Sequence, residues 1–289
     1  MRDKRQEVST DARSRVVDGP FTEAKECAVG LSSRAIARRV TGAYADVHGL
    51  LMYYETQGRS RQRPLVLLHA GFTTIESSFG LVRHAFALGR PVIAVEQQAH
   101  GRTADIDRPL SYEQMADDTA AILEQLDIEQ ADFFGFSMGA STALQIAVRY
   151  PELVNKLAVV SGAGRLDGYH DSAIDLLQHI RHDDELRTDL RARSFERVGA
   201  APEHWAGAVA RAKEVVTSCP GVRPQDLRGI RADALFVTGE TGLVRLEHTR
   251  EMSSLVPGGK LKVFDCDDHH PSMVHRAASL IPKFLAAAT

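Results

Sequence analysis

The sequence predicts an α/β fold: a mostly parallel, doubly wound central sheet. Three observations carry that prediction. Short continuous apolar runs recur at Pro64–Leu68, Pro91–Val95, Asp132–Phe136 and Leu157–Val160, and runs of this kind are strands buried on both faces. Helical patterns separate them, and strand, helix, strand in repetition argues for a parallel sheet with helices on both sides. Finally, a tight glycine-flanked turn, Gly135-Phe136-Ser137-Met138-Gly139, joins one buried strand directly to a helix.

Taken in order, residues 1–42 are rich in Arg, Ser and acidic residues and show little apolar periodicity, which reads as a mobile N-terminal arm. The domain is expected over 43–289. Tyr44–Thr56 contains the strand-like run Leu-Leu-Met-Tyr-Tyr after a His-Gly turn, and Gln57–Arg63 is a polar loop. Ser111 is placed to cap a helix reaching Leu126, with Met115, Thr119, Ile122 and Leu126 at helical spacing. Ala140–Arg149 has the Ala, Leu, Gln and Ile of a good helix former, and Tyr150-Pro151 stops it. From Ala163 to about Ile230 the rhythm breaks into polar, helix-rich sequence without strand signals. The sheet resumes at Ala234–Thr238 and ends with Leu261–Phe264, followed by Asp265-Cys266-Asp267-Asp268-His269-His270-Pro271 and a terminal helix.

The glycine-flanked turn carries the chemistry. A G-x-S-x-G at a strand-to-helix junction is a nucleophile elbow, in which the central residue takes a strained backbone and its neighbours must be tiny. Ser137 is then raised at the top of the sheet, at a helix N-terminus whose N–H groups favour developing negative charge.

In these residues the chain resembles the α/β-hydrolase superfamily, in particular small esterase-like members, over about 43–289. The resemblance implies oxyanion donors at Gly71, after His69-Ala70, and at Met138. His69 and the His100 of the Glu96–Thr103 turn are read as structural ties. The resemblance also puts the catalytic base in the loop after the last strand, where His269 fits and His270 is the alternative. At the break over about 163–230 the resemblance implies a helical cap, inserted before the penultimate strand. Phe72 and Trp205 are the expected substrate contacts, with Trp205, Phe195 and Tyr169 each open to lining the pocket or to plain packing. Val17–Glu26 separately resembles the D-G-P-F segment of YCII-related proteins and receives no chemistry.

The acid is where the pattern breaks. The position that the resemblance assigns to it is Gly242, and the other known location, after Val160, reads Ser161-Gly162-Ala163-Gly164. Glu240 is the preferred substitute because its longer side chain reaches back towards His269, with Asp167, Asp267 and Asp268 as alternatives. Two functions follow. One is a serine hydrolase acting on a small carboxylic ester, thioester or lactone through an acyl-enzyme on Ser137. The other is a degenerate member that binds or senses a small ligand.

Composition narrows the field. A formal net charge of -3 gives no case for nucleic acid or an anionic membrane, and 44% apolar residues suffice for a sizeable core. Cys27, Cys219 and Cys266 are far apart and in no metal-like spacing, which suits a reducing compartment. The Asp-Cys-Asp-Asp-His-His run looks metal-like, but contiguous ligands rarely converge on one ion. No apolar run approaches the roughly 20 residues of a membrane span. The expectation is a cytoplasmic protein with a small-molecule substrate, no cofactor and no metal.

Overall fold

Strands that are apolar throughout need cover on both faces, and the order in which the chain lays them down supplies it. The computed structural model describes residues 39–181, 190–199, 202–218 and 221–287. The strands are β1 (Val40–Val47), β2 (Leu50–Gln57), β3 (Leu65–Leu68), β4 (Val92–Val95), β5 (Ala131–Phe136), β6 (Val154–Val160), β7 (Asp233–Thr241) and β8 (Gly259–Asp267). They form one sheet in the order β1-β2-β4-β3-β5-β6-β7-β8. β2 runs against both of its neighbours, and every pairing from β4 to β8 is parallel. β1 begins at Val40, ahead of the expected start at Ala43. The rest of the expected arm, residues 1–38 with the Val17–Glu26 segment, lies outside the described residues. His48 and Gly49 turn β1 into β2 with φ of 51° and 80°, the positive values that a two-residue hairpin of the primed type requires.

Alternate residues along each strand face opposite sides. Leu65, Leu67, Phe134 and Val160 pack on one side under α1 (Ile75–Phe79), α2 (Arg83–Phe86) and α10 (Met273–Ala286). Val66, Leu68, Phe133 and Val159 pack on the other under α3 (Tyr112–Gln125), α4 (Met138–Arg149) and α9 (Leu246–Leu255). Ser111 caps α3 by accepting the Gln114 N–H at 3.1 Å.

Between β6 and β7 come a 3₁₀ turn (Leu166–Gly168), α5 (Asp171–His179), α6 (Leu190–Arg197), α7 (Pro202–Ser218) and α8 (Pro224–Arg228). The first three helices share a core of their own, including Leu177, Phe195, Trp205 and Val209. Val222, Leu227 and Ile230 instead join the main core. The helical insert over the sheet thus ends with α7, short of the expected limit near 230. No described helix is long and apolar enough to cross a membrane.

Two fully buried histidines join the loops at the C-terminal ends of β3 and β4. The Ala70 carbonyl can only accept, so His69 donates to it from Nδ1 at 2.7 Å, and the bare Nε2 accepts the Gln97 N–H at 3.0 Å. His100 likewise donates from Nδ1 to the Gln98 carbonyl at 2.9 Å and accepts the Phe72 N–H at 3.3 Å. Burial drives His69 down to about 3, with neighbouring His100 adding to the effect, and drives His100 down to about 4.

Both histidines are neutral in the fold and protonate readily once unfolded. Their stabilisation is therefore complete above 6.5 and is lost as pH falls, towards about 4 for His100 and about 3 for His69. Each contributes a loss of about 1.4 kcal/mol per pH unit in that window. Glu96, which burial pushes up from 4.5 to about 7, acts in the opposite sense over pH 7 to 4.5 but is one group against two. Urea midpoints are expected to drop between about pH 7 and pH 5, and less steeply in His69→Gln. An equal slope in the two proteins would show that His69 is charged in the fold.

Candidate active site

Ser137 is the residue on which β5 ends and α4 begins. Its backbone sits at φ 54°, ψ -115°, a region that non-glycine residues occupy only when their surroundings enforce it. The enforcement is visible on either side. A Cβ at Gly135 would fall on the Gly139 carbonyl, and a Cβ at Gly139 on the Leu68 carbonyl, both far inside contact distance. The turn closes onto the first turn of the helix and onto β3, so the serine has one place to go. Ser137 N–H is tied to the Val160 carbonyl at 2.8 Å, which fixes the turn on β6 as well.

His269 lies just past β8 and completes the contact expected of it: its Nε2 is 2.9 Å from Ser137 Oγ. Its ring packs against Phe136 with centroids 5.6 Å apart. His270, the alternative, is exposed and shares a hydrogen bond with Ser272 at 2.8 Å.

The carboxylate partner is Asp268, not Glu240. Asp268 Oδ1 lies 2.7 Å from His269 Nδ1, and the aspartate is fully buried. Its Oδ1 also accepts the Leu243 N–H at 2.9 Å and its Oδ2 the Val244 N–H at 2.8 Å. Its own backbone is pinned: the N–H donates to the Thr241 carbonyl at 2.8 Å, and its carbonyl accepts the buried Ser161 hydroxyl at 2.6 Å. Glu240 is on the last stretch of β7 with its side chain exposed. None of its described contacts reaches His269. Asp167 pairs with Arg165 at 3.0 Å on the surface, and the Asp267 carboxylate accepts the His269 backbone N–H at 2.8 Å.

Gly242 explains the exchange. It has φ of 129°, and a Cβ built on it would land on Asp268 Oδ1. The space beside the imidazole that a side chain at 242 would enter is filled by the carboxylate arriving from the β8 loop. Neighbours in a strand point to opposite faces, but Asp268 and His269 already lie in the turn beyond β8, where both side chains converge. The local signal was a glycine at 242 together with an Asp-Asp-His-His run. Reading the run for spacing alone missed it.

Of the three successive N–H groups after His69, that of Ala70 goes to Ser78 Oγ at 3.4 Å and that of Phe72 to His100. Among the described residues, the Gly71 N–H is given to no protein acceptor, and neither is the Met138 N–H at the first position of α4. The two residues are neighbours: a Cβ at Gly71 would lie 3.8 Å from that of Met138. Helix α7 covers them, with Ala212 approaching Gly71 and Val215 packed on Met138. Phe72, half-buried with φ of 61°, leans against the core of the insert. Trp205 does not take up the substrate-facing place expected of it: it is buried inside that core, its ring at 68° to Phe195 with centroids 5.3 Å apart. Phe195 and Tyr169 are buried with it. Among the described residues no group of His, Cys, Asp and Glu could hold a metal ion.

A family model for the alpha/beta hydrolase fold matches residues 63–204. Over 259 residues the chain is 26% identical to the 2-hydroxymuconate semialdehyde hydrolase of Pseudomonas sp. (strain CF600), covering 78% of this chain and 87% of that protein. Among solved structures, the meta-cleavage product hydrolase CumD of Pseudomonas fluorescens IP01 superposes with a TM-score of 0.67 at 21% identity, covering 84% of this chain and 97% of that one. The enol-lactonase of Burkholderia xenovorans LB400 also gives 0.67, at 20% identity, covering 85% of this chain and 100% of that one. With the elbow and the sheet order already in place, the chain has the α/β-hydrolase fold.

Proposed function

We propose that the protein is a serine hydrolase acting on a small carboxylic ester, thioester or lactone. The observation that carries this reading is the unbroken series Ser137 Oγ, His269 and Asp268, with links of 2.9 and 2.7 Å. Relatives named as hydrolases and an enol-lactonase support the reaction class.

In the proposed reaction His269 Nε2 takes the Ser137 proton as the oxygen attacks the carbonyl carbon. Asp268 holds Nδ1–H, which keeps the imidazole in the tautomer whose Nε2 is free to accept. The carbonyl oxygen gains charge between the N–H groups of Gly71 and Met138, at the positive end of α4. Protonation by His269 releases the alcohol or thiol. Water then attacks the acyl-enzyme with the same base. Phe72 and the apolar side chains of the insert favour an uncharged acyl group. The case for a degenerate binder rested on Gly242 leaving His269 without a carboxylate, and Asp268 takes that place.

A fluorophosphonate probe is expected to label Ser137 and nothing else, and p-nitrophenyl acetate to give a burst that Ser137→Ala abolishes. Labelling that survives in Ser137→Ala would refute the nucleophile.

Asp268→Asn is expected to lower kcat by about 10⁴-fold, the usual worth of this carboxylate. Glu240→Gln should change it by no more than about twofold, as for an exposed side chain. Gly242→Asp should lower turnover rather than raise it, because its side chain and Asp268 would compete for one space. Steady-state kinetics on the folded variants decides among them. A large loss in Glu240→Gln with little in Asp268→Asn would return the role to Glu240.

A further inference from the structure

The insert and the Asp268 carboxylate meet on one short segment. Leu243 and Val244 give their N–H groups to that carboxylate at 2.9 and 2.8 Å. The same segment holds the start of the insert. The Leu243 carbonyl accepts the His170 N–H at 3.0 Å, and the Gly168 carbonyl accepts the Arg245 N–H at 2.8 Å. The Arg245 side chain donates to the Tyr169 carbonyl at 2.8 Å and to Asp171 at 2.7 Å. Tyr169 and Val244 form an antiparallel bridge between the two stretches.

One peptide group belongs to both halves of this seam. The Leu243 carbonyl, bonded to the insert, and the Val244 N–H, bonded to Asp268, are the two ends of a single amide. A hydrogen bond at the carbonyl polarises that amide and strengthens the N–H as a donor. Seating of the insert therefore acts on the carboxylate by position and by polarisation together. Burial pushes the Tyr169 hydroxyl up to about 12, and the Asp268 charge adds to the push.

We infer that the insert is a positioning element for Asp268, so that Ser137 is fully activated only while residues 168–171 are seated on residues 243–245. This rests on the hydrolase reading above. It makes the part of the molecule that covers the site also the part that orients its base, and a substrate that draws the insert down raises its own rate of attack.

His170→Pro isolates the link. His170 has φ of -67°, the proline value, and the preceding Tyr169 has φ of -87° and ψ of 152°, which proline tolerates in its neighbour. The substitution thus removes the N–H, and its ring displaces the Leu243 carbonyl without straining the backbone. His170→Ala keeps the N–H and controls for the lost imidazole. Relative to His170→Ala, kcat on a p-nitrophenyl ester is expected to fall at least about tenfold in His170→Pro, as small misplacements of catalytic groups do. The low-field proton resonance of His269 Nδ1–H should be present in His170→Ala and broadened or lost in His170→Pro. A change confined to the insert's packing would leave that signal alone. If His170→Pro does not fold, Arg245→Ala, which breaks the side-chain half of the seam, is expected to show the same two effects in smaller degree. Asp268→Asn, lacking the resonance and slowed about 10⁴-fold, and Ser137→Ala, lacking turnover, establish the underlying reading independently. With those two behaving so, turnover within about twofold of His170→Ala and an intact resonance would overturn the coupling and leave the hydrolase standing.

Discussion

A carboxylate with no exposed surface is held at the end of the sheet by hydrogen bonds donated from Leu243, Val244 and His269. Burying such a charge is costly unless its lone pairs are occupied. Here two donors are backbone groups of the loop after β7 and one is the imidazole that reaches Ser137. The arrangement needs β7 and β8 to end together, so that Thr241 can accept the Asp268 N–H, and needs β6 beside them, so that Ser161 can hold the Asp268 carbonyl. Ser161 itself has φ of 54°, a second strained residue placed where a strand end meets the site. The pairing of β6, β7 and β8 is thus what lets an aspartate sit beside its own neighbouring histidine.

The elbow depends on the other half of the sheet. Backbone of β3 passes over Gly139, and the first turn of α4 folds back over Gly135, leaving no room for a side chain at either position. The strain at Ser137 is sustained because the strands on each side are buried and locked in register with it. His69 and His100 extend the same rigidity outward. His100 takes the Phe72 N–H, while the preceding Gly71 N–H has no protein acceptor among the described residues. Ser137 and the N–H groups near it are set by β3, β4 and β5, and His269 with Asp268 by β6, β7 and β8. The site lies where the two halves meet, at the C-terminal ends of the parallel strands.

Much of this was legible in the residues because it follows from local rules. Apolar runs such as Pro91–Val95 have one plausible place in a globular protein, and Ser111 caps its helix as its position promised. Ser137 was readable because the elbow is a local device, complete within five residues, and His269 because it follows the last strand. The partner of His269 was not readable in that way. Glu240 looked suitable from side-chain length, but β7 runs on through Thr241 and its last two residues, Glu240 among them, are exposed. Trp205 looked like a pocket wall because aromatic residues in a cap often are. The insert is small, though, and needed that ring beside Phe195 for its own core. In both cases what decided was how neighbouring elements pack, the loop after β7 on Asp268 and α6 on α7, which side-chain type alone does not give.

The carboxylate itself shows what a sequence position does and does not determine. What the imidazole requires is an oxygen near Nδ1 with its remaining lone pairs satisfied, and that requirement belongs to a point in space. The donors defining the point are the N–H groups of Leu243 and Val244, which exist whatever side chains those residues carry. A glycine at 242 leaves the point open, and an aspartate beyond β8 fills it with Oδ1 where a Cβ at 242 would lie. The two are mutually exclusive occupants of one place: a side chain at 242 would evict the carboxylate, and with Asp268 in place only glycine fits opposite. The absence of an acid at 242 and the presence of one at 268 are a single structural fact, visible as two separate oddities when the chain is read in one dimension.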